Sequence, residues 1–396
     1  MAGNLGKLFW QTCAVAAFCA LANSADAKPL NGDWPMLNFD GHGTRYNPSE
    51  SVLNKQTVKS LQQVWTAPMV NAPFQPAVAG GVVYASSTDQ VYAFDAVSGT
   101  PIWSVAVDNN CSSPAIANGV VYAANCTGIL YAFDAATGKT LWTSQAGFRS
   151  DCVISPIVSG GQVFIRADSS GVYAFNARTG KLQWDATQPS GACLDALVVT
   201  NGVVISTNGK YDVVAHDART GVEIWEYSRK GSIASETLTT DGTRVYVYFI
   251  ADGSLADQRG WASWGLVTAL DAKSGHLVWQ KNAGKYHDVA GALALEKNHL
   301  YLFEQNINCY WIFDTNSGAA QSIKPKGGII QYSPTLANHV LYESNGGGFF
   351  ALDPKTGELL GGGGTGNGAV TSPVVANGMV YVVGVYGGLY AFGLKN

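Results

Sequence analysis

The chain has 396 residues, of which 13% are charged and 46 are glycine, and its formal net charge is -4. A glycine-rich, weakly charged composition suits many short strands joined by tight turns, and it excludes a helical bundle or a disordered protein. Because the chain has no cluster of Lys and Arg residues, nucleic acid is not an expected partner.

The first 27 residues have the pattern of a secretory signal peptide. Lys7 precedes an apolar run from Leu8 to Leu21, and Ala25-Asp26-Ala27 provides a cleavage site before Lys28. An uncleaved N-terminal membrane anchor is the alternative. No later stretch reaches the roughly 18 apolar residues of a membrane span. The sequence therefore predicts a mature chain without a transmembrane segment, located in the periplasm or outside the cell.

A repeated unit of about 40 residues fills the rest of the chain. Residues 113–142 show its parts: an apolar strand, an Asn118-Gly119 hairpin turn, strands over Val120–Ala124 and Ile129–Phe133, and a fourth strand opened by Leu141-Trp142. Between the third and fourth strands lies an Asp/Asn-x-x-Ser/Thr-Gly turn, with glycine at the left-handed position. The same turn occurs at residues 95–99, 134–138, 176–180, 217–221, 271–275, 314–318 and 353–357.

Four strands per unit at this period are typical of a β-propeller. The last unit stops at Phe392 without a fourth strand, while a spare strand lies around Val64-Trp65-Thr66. We therefore expect an all-β, eight-bladed propeller of four-stranded antiparallel blades over residues 61–396. Residues 28–60 lead into it, the N-terminal strand closes its ring, and it is expected to be monomeric. The eight first strands begin at Pro76, Pro114, Pro156, Leu197, Thr237, Ala292, Pro334 and Pro373.

The unit Tyr131–Trp142, with its sequence Tyr-Ala-Phe-Asp-Ala-Ala-Thr-Gly-Lys-Thr-Leu-Trp, resembles the repeat of pyrroloquinoline quinone (PQQ)-type propellers. The resemblance covers residues 62–396. Blades six and seven depart from it, because Gln321-Ser322 and Leu359-Leu360 stand where tryptophan is expected. The resemblance implies that the remaining repeat tryptophans dock between neighbouring blades, namely Trp65, Trp103, Trp142, Trp184, Trp225 and Trp279.

The segment before the ring is similar to the N-terminal segment of quinoprotein alcohol dehydrogenases, through Asp33-Trp34-Pro35, Asp40 and Thr44–Pro48. The chain also resembles short scaffold propellers such as the outer-membrane assembly factor BamB. It lacks the vicinal Cys-Cys pair of many quinoproteins and the Cys-x-x-Cys-His motif, so no haem is expected. Two functions follow from these resemblances. One is a scaffold that binds a protein or a small molecule; the alternative is a PQQ- and Ca²⁺-dependent dehydrogenase of alcohol-type substrates.

In this topology the loops between second and third strands and those between blades share one face, where any site is expected. The largest irregularity is the loop at about Ala251–Gly265 in blade five. Its Trp261 and Trp264 are candidates for stacking against a flat ligand. The alternative is that both tryptophans pack the loop onto its own blade.

Carboxylates form a second group on that face. Glu236 replaces a serine found in four other blades, Asp195 lies one residue before the equivalent position, and His287-Asp288 precede blade six. Glu236, Asp195 and Asp288 are candidate Ca²⁺ ligands, with Glu236 or Asp195 as a catalytic base; the alternative is a solvated acidic rim. The carboxylates of PQQ would need cations, and the candidates near this face, with His287, are Arg149, Arg166, Lys210 and Lys285.

The mature chain has five cysteines, and an exported protein favours disulfides. Cys111 is expected to start the first strand of blade two and Cys126 to end the antiparallel second strand, so the two should face each other across a hairpin and form a bridge. Cys152 and Cys193 hold matching positions in blades three and four, which suggests a second bridge. Cys309 is left over.

Overall fold

In the computed structural model, the described residues form eight sheets arranged as the blades of a propeller, each built on four antiparallel strands. The sheet of blade seven has a fifth strand, because Tyr46–Asn47 pairs in parallel with Leu336 and Ala337. First strands of successive blades contact one another, so they line the central channel. No helix in the described part of the chain is long and apolar enough to cross a membrane. The structure describes residues 32–395 except residues 70, 73, 146–154, 168–170, 188–196, 209–211, 230–231, 252–264, 284–292, 305–307, 327–332, 367–370 and 385–386, and it omits the side chains of residues 232–237 and 250–251.

Each blade has its first strand at the channel and its fourth strand at the outside of the ring. In that order the strands of the first three blades are Ala77–Ala79, Val82–Ser86, Gln90–Asp95 and Pro101–Ala106 in blade one; Ala115–Ala117, Val120–Ala124, Ile129–Asp134 and Thr140–Gln145 in blade two; and Ile157–Ser159, Gln162–Ala167, Gly171–Asn176 and Leu182–Ala186 in blade three. The next three blades consist of Leu197–Thr200, Val203–Thr207, Val213–Asp217 and Glu223–Tyr227 in blade four; Ser232–Thr240, Arg244–Ala251, Gly265–Asp271 and Leu277–Asn282 in blade five; and Ala294–Glu296, His299–Glu304, Cys309–Asp314 and Ala320–Ile323 in blade six. The last two consist of Thr335–Ala337, Val340–Asn345, Gly348–Leu352 and Leu359–Gly364 in blade seven, and of Val374–Ala376, Met379–Val383, Leu389–Leu394 and Leu61–Ala67 in blade eight.

The N-terminal strand closes the ring, as the sequence predicts. Leu61–Ala67 pairs antiparallel with Leu389–Leu394 and so becomes the outermost strand of blade eight. This pairing covers the edge that the last blade would otherwise expose. A short 3-10 helix, Thr57–Ser60, and the two-residue strand Tyr46–Asn47 precede it.

Repeated tryptophans join neighbouring blades, which confirms the docking that the resemblance implies. The indole Nε1 of Trp103 in blade one donates a hydrogen bond of 2.9 Å to the carbonyl of Ala135 in blade two, and the Tyr84 hydroxyl donates to the same carbonyl at 3.2 Å. The indole ring lies over Gly138 of the Asp134–Gly138 turn. The same donor-to-carbonyl contact recurs in Trp65–Ala96, Trp142–Ala177, Trp184–Ala218, Trp225–Ala272 and Trp279–Thr315, at 2.8–3.2 Å.

Blades six and seven lack the repeat tryptophan, and the structure shows what replaces it. Gly357 of blade seven faces Ile323 and the Lys324 carbonyl of blade six instead of an indole. On the outer strand of blade seven, a Cβ at Gly361 would overlap the Val58 carbonyl of the 3-10 helix, and one at Gly363 would overlap the Phe392 ring. The glycine run of this strand therefore makes room for the closing segment.

We expect Gly138→Ala to destabilise the ring more than Gly119→Ala. Both glycines have positive φ, +72° and +75°, so each substitution incurs a backbone cost of about 1 kcal/mol. A Cβ at Gly138 would lie 2.8 Å from the Trp103 ring, which adds about 1–3 kcal/mol, whereas none of the surrounding heavy atoms lies within 4 Å of a Cβ at Gly119. Urea unfolding of both variants measures the difference, and equal midpoints would show that the indole contact contributes nothing.

The turn aspartates accept hydrogen bonds from the chain that follows them. Asp134 Oδ1 accepts from the Thr137 hydroxyl at 2.6 Å and from the Thr137 amide at 2.9 Å. These bonds to Thr137 hold the pKa of Asp134 below its usual value. The pKa is lowered in the same way, by the serine or threonine three residues on, at Asp95, Asp217, Asp271 and Asp314. In blade three, Asn176 accepts the two corresponding bonds from Thr179, and a third from the Arg178 amide, without a titrating group.

Because these five carboxylates have lowered pKa values in the folded state, the stability they contribute is present above their unfolded pKa of about 3.9 and is lost as the pH falls through the folded value. The melting temperature is therefore expected to hold at pH 6 and to fall below about pH 4. Replacing all five with asparagine, as blade three already does, should flatten this acid limb. An unchanged acid limb in the fivefold variant would assign the pH dependence to other groups.

The N-terminal belt, residues 32–47, makes one circuit of the channel. Its backbone exchanges two hydrogen bonds with Val78 of blade one, and its carbonyls then accept from Ile116, Val199, Thr240, Leu295 and Leu336 of blades two, four, five, six and seven. Asn47 Nδ2 donates to the Val375 carbonyl of blade eight, while Met36 packs in the apolar cluster that contains Ile157 of blade three. The belt thus covers the inner edges of the blades, and its Trp34 and Phe39 are buried at 0% and 2% exposure.

Candidate functional site

The ring has two different faces. The turn face carries the hairpin turns between first and second strands and the Asp-x-x-Thr-Gly turns between third and fourth strands. The loop face carries the loops between second and third strands and between blades. The belt bonds mainly to the middle residue of each three-residue first strand, close to the hairpin turn that follows. It therefore lies on the turn-face side of the channel. Many residues of the loop face, among them 146–154, 188–196, 252–264 and 284–292, lie outside the described part of the chain.

Most of the candidate side chains lie outside the described residues. These are the catalytic and metal candidates Asp195 and Asp288, the ligand-binding candidates Trp261, Trp264, Arg149, Lys285 and His287, together with Lys210, and the cysteines Cys152 and Cys193. They remain predictions. Within the described part of the chain, no group of three His, Cys, Asp or Glu side chains is placed to hold a metal ion.

Glu236 lies in the first strand of blade five, which differs from its counterparts. Ser232–Thr240 has nine residues, whereas the other first strands have three or four. The pairing register with the second strand shifts between Ala234 and Leu238, so Glu236 falls within the irregularity. Glu236 and Asp195 would share a face only if one of the two strands were bulged. The irregularity lies in blade five, but Asp195 is outside the described residues, so the shared face stays a prediction. The Glu236 side chain itself is not among those that the structure describes.

The serines that Glu236 replaces connect neighbouring blades. Ser155 Oγ of blade three accepts a hydrogen bond of 2.9 Å from the Ser113 amide of blade two. Gln75, which holds the same position in blade one, donates to the Ser372 carbonyl of blade eight at 3.2 Å. This position therefore has a structural task in these blades, and a glutamate in blade five is a departure from it.

Arg166 is the cation candidate that the structure describes. It lies on the second strand of blade three, is 1% exposed, and its Nε donates to the Thr207 carbonyl of blade four at 2.8 Å. The guanidinium therefore joins two blades within the protein interior. This placement favours a packing role for Arg166 over a role in an open ligand pocket. The spacing of residues in the sequence could not show this role, because the partner of Arg166 lies in blade four.

Cys111 and Cys126 form a disulfide at the loop-face end of blade two, with Cα atoms 5.7 Å apart. Both lie just beyond the strands of the hairpin, where Asn110 and Asn125 form an isolated bridge. Asn110 Nδ2 also donates to the Ser87 carbonyl of blade one at 2.8 Å. The loops of blades one and two are thus fixed to each other on this quarter of the loop face. Cys309 is a buried free thiol, and burial raises its pKa.

Sequence reasoning missed two buried carboxyls. Glu343, on the second strand of blade seven, is 0% exposed, and Tyr310 of blade six faces it across the joint. Burial raises the pKa of Glu343, while Tyr310 and Arg45 of the belt act in the opposite direction. Glu304 ends the second strand of blade six at 1% exposure and accepts from Trp311 Nε1 at 2.8 Å. The signal was a charged residue within an otherwise apolar strand.

Replacing both cysteines of the bridge, as Cys111→Ala with Cys126→Ala, should lower the free energy of unfolding by about 3 kcal/mol. The bridge closes a 15-residue loop, and removing that constraint increases the entropy of the unfolded chain. Urea unfolding with and without reductant checks the value, since reductant should bring the unmodified protein to the level of the double variant. An unmodified protein insensitive to reductant would contradict the prediction.

Comparison with solved structures shows the same fold at low sequence identity. The structure of BamB from Moraxella catarrhalis matches with a TM-score of 0.66 and 16% identity, over 84% of this chain and 99% of that chain. Quinohemoprotein alcohol dehydrogenase from Comamonas testosteroni matches with a TM-score of 0.69 and 17% identity, over 92% and 80%. The computationally designed Ika8 protein matches with a TM-score of 0.70 and 16% identity, over 84% and 99%.

At such identities these likenesses establish the architecture alone, and the architecture does not by itself imply a function. No curated protein matches the sequence. A family model described as outer membrane protein assembly factor BamB matches residues 54–190, 128–360 and 263–396, which together span nearly all of the ring. The chain therefore belongs to the BamB family of PQQ-type propellers.

Proposed function

We propose that this chain is an exported binding scaffold whose loop face engages a protein partner, in the manner implied by the assembly role of the BamB family. The observation that carries the proposal is the belt. It lines the turn-face side of the channel with the chain's own residues, which favours the loop face as the side for contact. The rigid joints between blades hold that face in a fixed shape, which suits a platform for a partner.

The apparent signal peptide and the disulfide support export to the periplasm or the cell exterior. The membership in a family named for outer membrane protein assembly supports a partner from the machinery or the substrates of that process. A small-molecule ligand remains compatible with the same face, since the aromatic and charged candidates of blades three to six belong to it.

Photo-crosslinking from two matched positions tests the scaffold. Thr127 and Thr137 are both exposed threonines of blade two, but Thr127 lies in a loop-face turn and Thr137 in a turn-face turn. A photoreactive residue at 127 should give discrete protein adducts in intact cells, and one at 137 should not. Equal crosslinking from both positions, or none from 127 and from a second loop-face position such as Thr88, would contradict the proposal.

A PQQ-dependent dehydrogenase is the second candidate, favoured by the match to quinohemoprotein alcohol dehydrogenase over 92% of this chain. Among the described residues, Arg166 is buried between blades, and no group of three His, Cys, Asp or Glu side chains is placed to hold a metal ion. We therefore derive no catalytic step from them.

The dehydrogenase candidate has a direct test. Purified protein should not retain PQQ absorbance through gel filtration with micromolar PQQ and Ca²⁺. If absorbance co-migrates with the protein and is lost in Glu236→Ala but kept in Ser49→Ala, an exposed position on the turn-face side, the dehydrogenase function would replace the scaffold.

A further inference from the structure

The belt meets the blades in the order in which they follow one another along the chain. Trp34 bonds to blade one and Pro35 to blade two, Gly41 and His42 to blades four and five, and Arg45 to blade seven. Each contact uses the inner edge of a first strand, whose amide would otherwise have no partner in the sheet. A single segment, residues 32–47, thus satisfies the inside of the whole ring.

The belt has a defined shape of its own. The Asp40 carbonyl accepts from the Gly43 amide at 3.0 Å, and the Asn38 carbonyl accepts from the Arg45 amide at 2.9 Å, so residues 38–45 form a closed loop. The ring of Trp34 packs edge-on against Phe39 with centroids 5.1 Å apart. The belt is therefore a compact, folded ligand for the channel rather than a loose tail.

We propose that the inner circumference of the ring is a peptide-binding site, and that residues 32–47 of the chain are its resident ligand. The site recognises a polypeptide segment through backbone hydrogen bonds to strand edges, as in strand addition to a sheet. It extends onto the outside of blade eight, where Leu61–Ala67, which follows residues 32–47 in the chain, completes the sheet. Because binding needs no covalent continuity with blade one, a separate peptide of the same sequence can occupy it.

Two residues of the segment set its specificity. Gly43 has φ +66°, and a Cβ there would lie 2.9 Å from the Leu238 carbonyl, so a larger residue is excluded. Asn47 is fully buried, and its Nδ2 donates to the carbonyls of Gly32 and Val375 at 2.8 Å each. An aspartate at position 47 would present an acceptor to two carbonyls that need a donor. Ser49, by contrast, is exposed.

The site exists only when the ring is nearly complete. Its hydrogen-bond partners are spread from Val78 to Val375 along the chain, and the outer pairing needs Leu389–Leu394. Residues 32–47 precede all eight blades in the chain, yet they can bind fully only after the last blade has formed. Closure of the ring is then a binding event within the molecule.

The test uses the complete folded protein, cut after folding. A protease site at the exposed Asn71 separates residues 1–71 from the ring without touching the belt. The cut protein is expected to elute as a single species under native conditions. On incubation in low urea with a labelled peptide of residues 32–69, the label should enter the ring fraction and stay there through gel filtration.

Peptide variants make the test specific, because the ring fragment stays unchanged. Peptides with Gly43→Ala or Asn47→Asp should be retained at least about tenfold less than the unmodified peptide, while Ser49→Ala should match it. Dissociation of the cut segment under native conditions would overturn the proposal, whether or not the ring stays folded. Equal retention of all four peptides would also overturn it.

Discussion

The contact on which the ring depends is the indole of one blade against the glycine and carbonyl of the next. A blade alone has two apolar faces and cannot be stable in water. The Trp103 contact combines burial of a large ring with a directed hydrogen bond to Ala135, so it fixes both the distance and the angle between blades. Because the glycine at position 138 adopts a positive φ, the turn brings its backbone close enough for this contact.

Where the tryptophan is missing, other parts of the chain supply the joint. Between blades six and seven, the buried Tyr310 and Glu343 stand where an apolar pair such as Val91 and Ala123 packs between blades one and two. Between blades seven and eight, the 3-10 helix Thr57–Ser60 packs against the glycine strand. The two irregular joints adjoin the place where the ring closes, so the repeat is altered where the N-terminal segment has to pass.

The fold could be predicted from the sequence because its signals are local and repeated. Each turn signal depends on residues close together in the chain, as in Asn118-Gly119 and Asp134–Gly138. The belt could not be predicted, since residues 32–47 carry no repeat and Asn47 bonds to a carbonyl 328 residues away. The loop-face candidates were placed by their spacing alone, and the role of Arg166 depended on a neighbour in another blade. Glu343 was overlooked because a charged residue within a strand does not by itself indicate that its side chain is buried.

The belt also bears on how this architecture can change over time. Repeat proteins commonly gain or lose whole units, because each unit contacts only its neighbours. Here one segment touches every blade in order, from Trp34 at blade one to Asn47 at blade eight. A ring with one blade fewer or one blade more would leave this segment too long or too short for its circuit. The belt therefore fixes the number of blades at eight, and duplication or deletion of a blade would require a matching change in the belt.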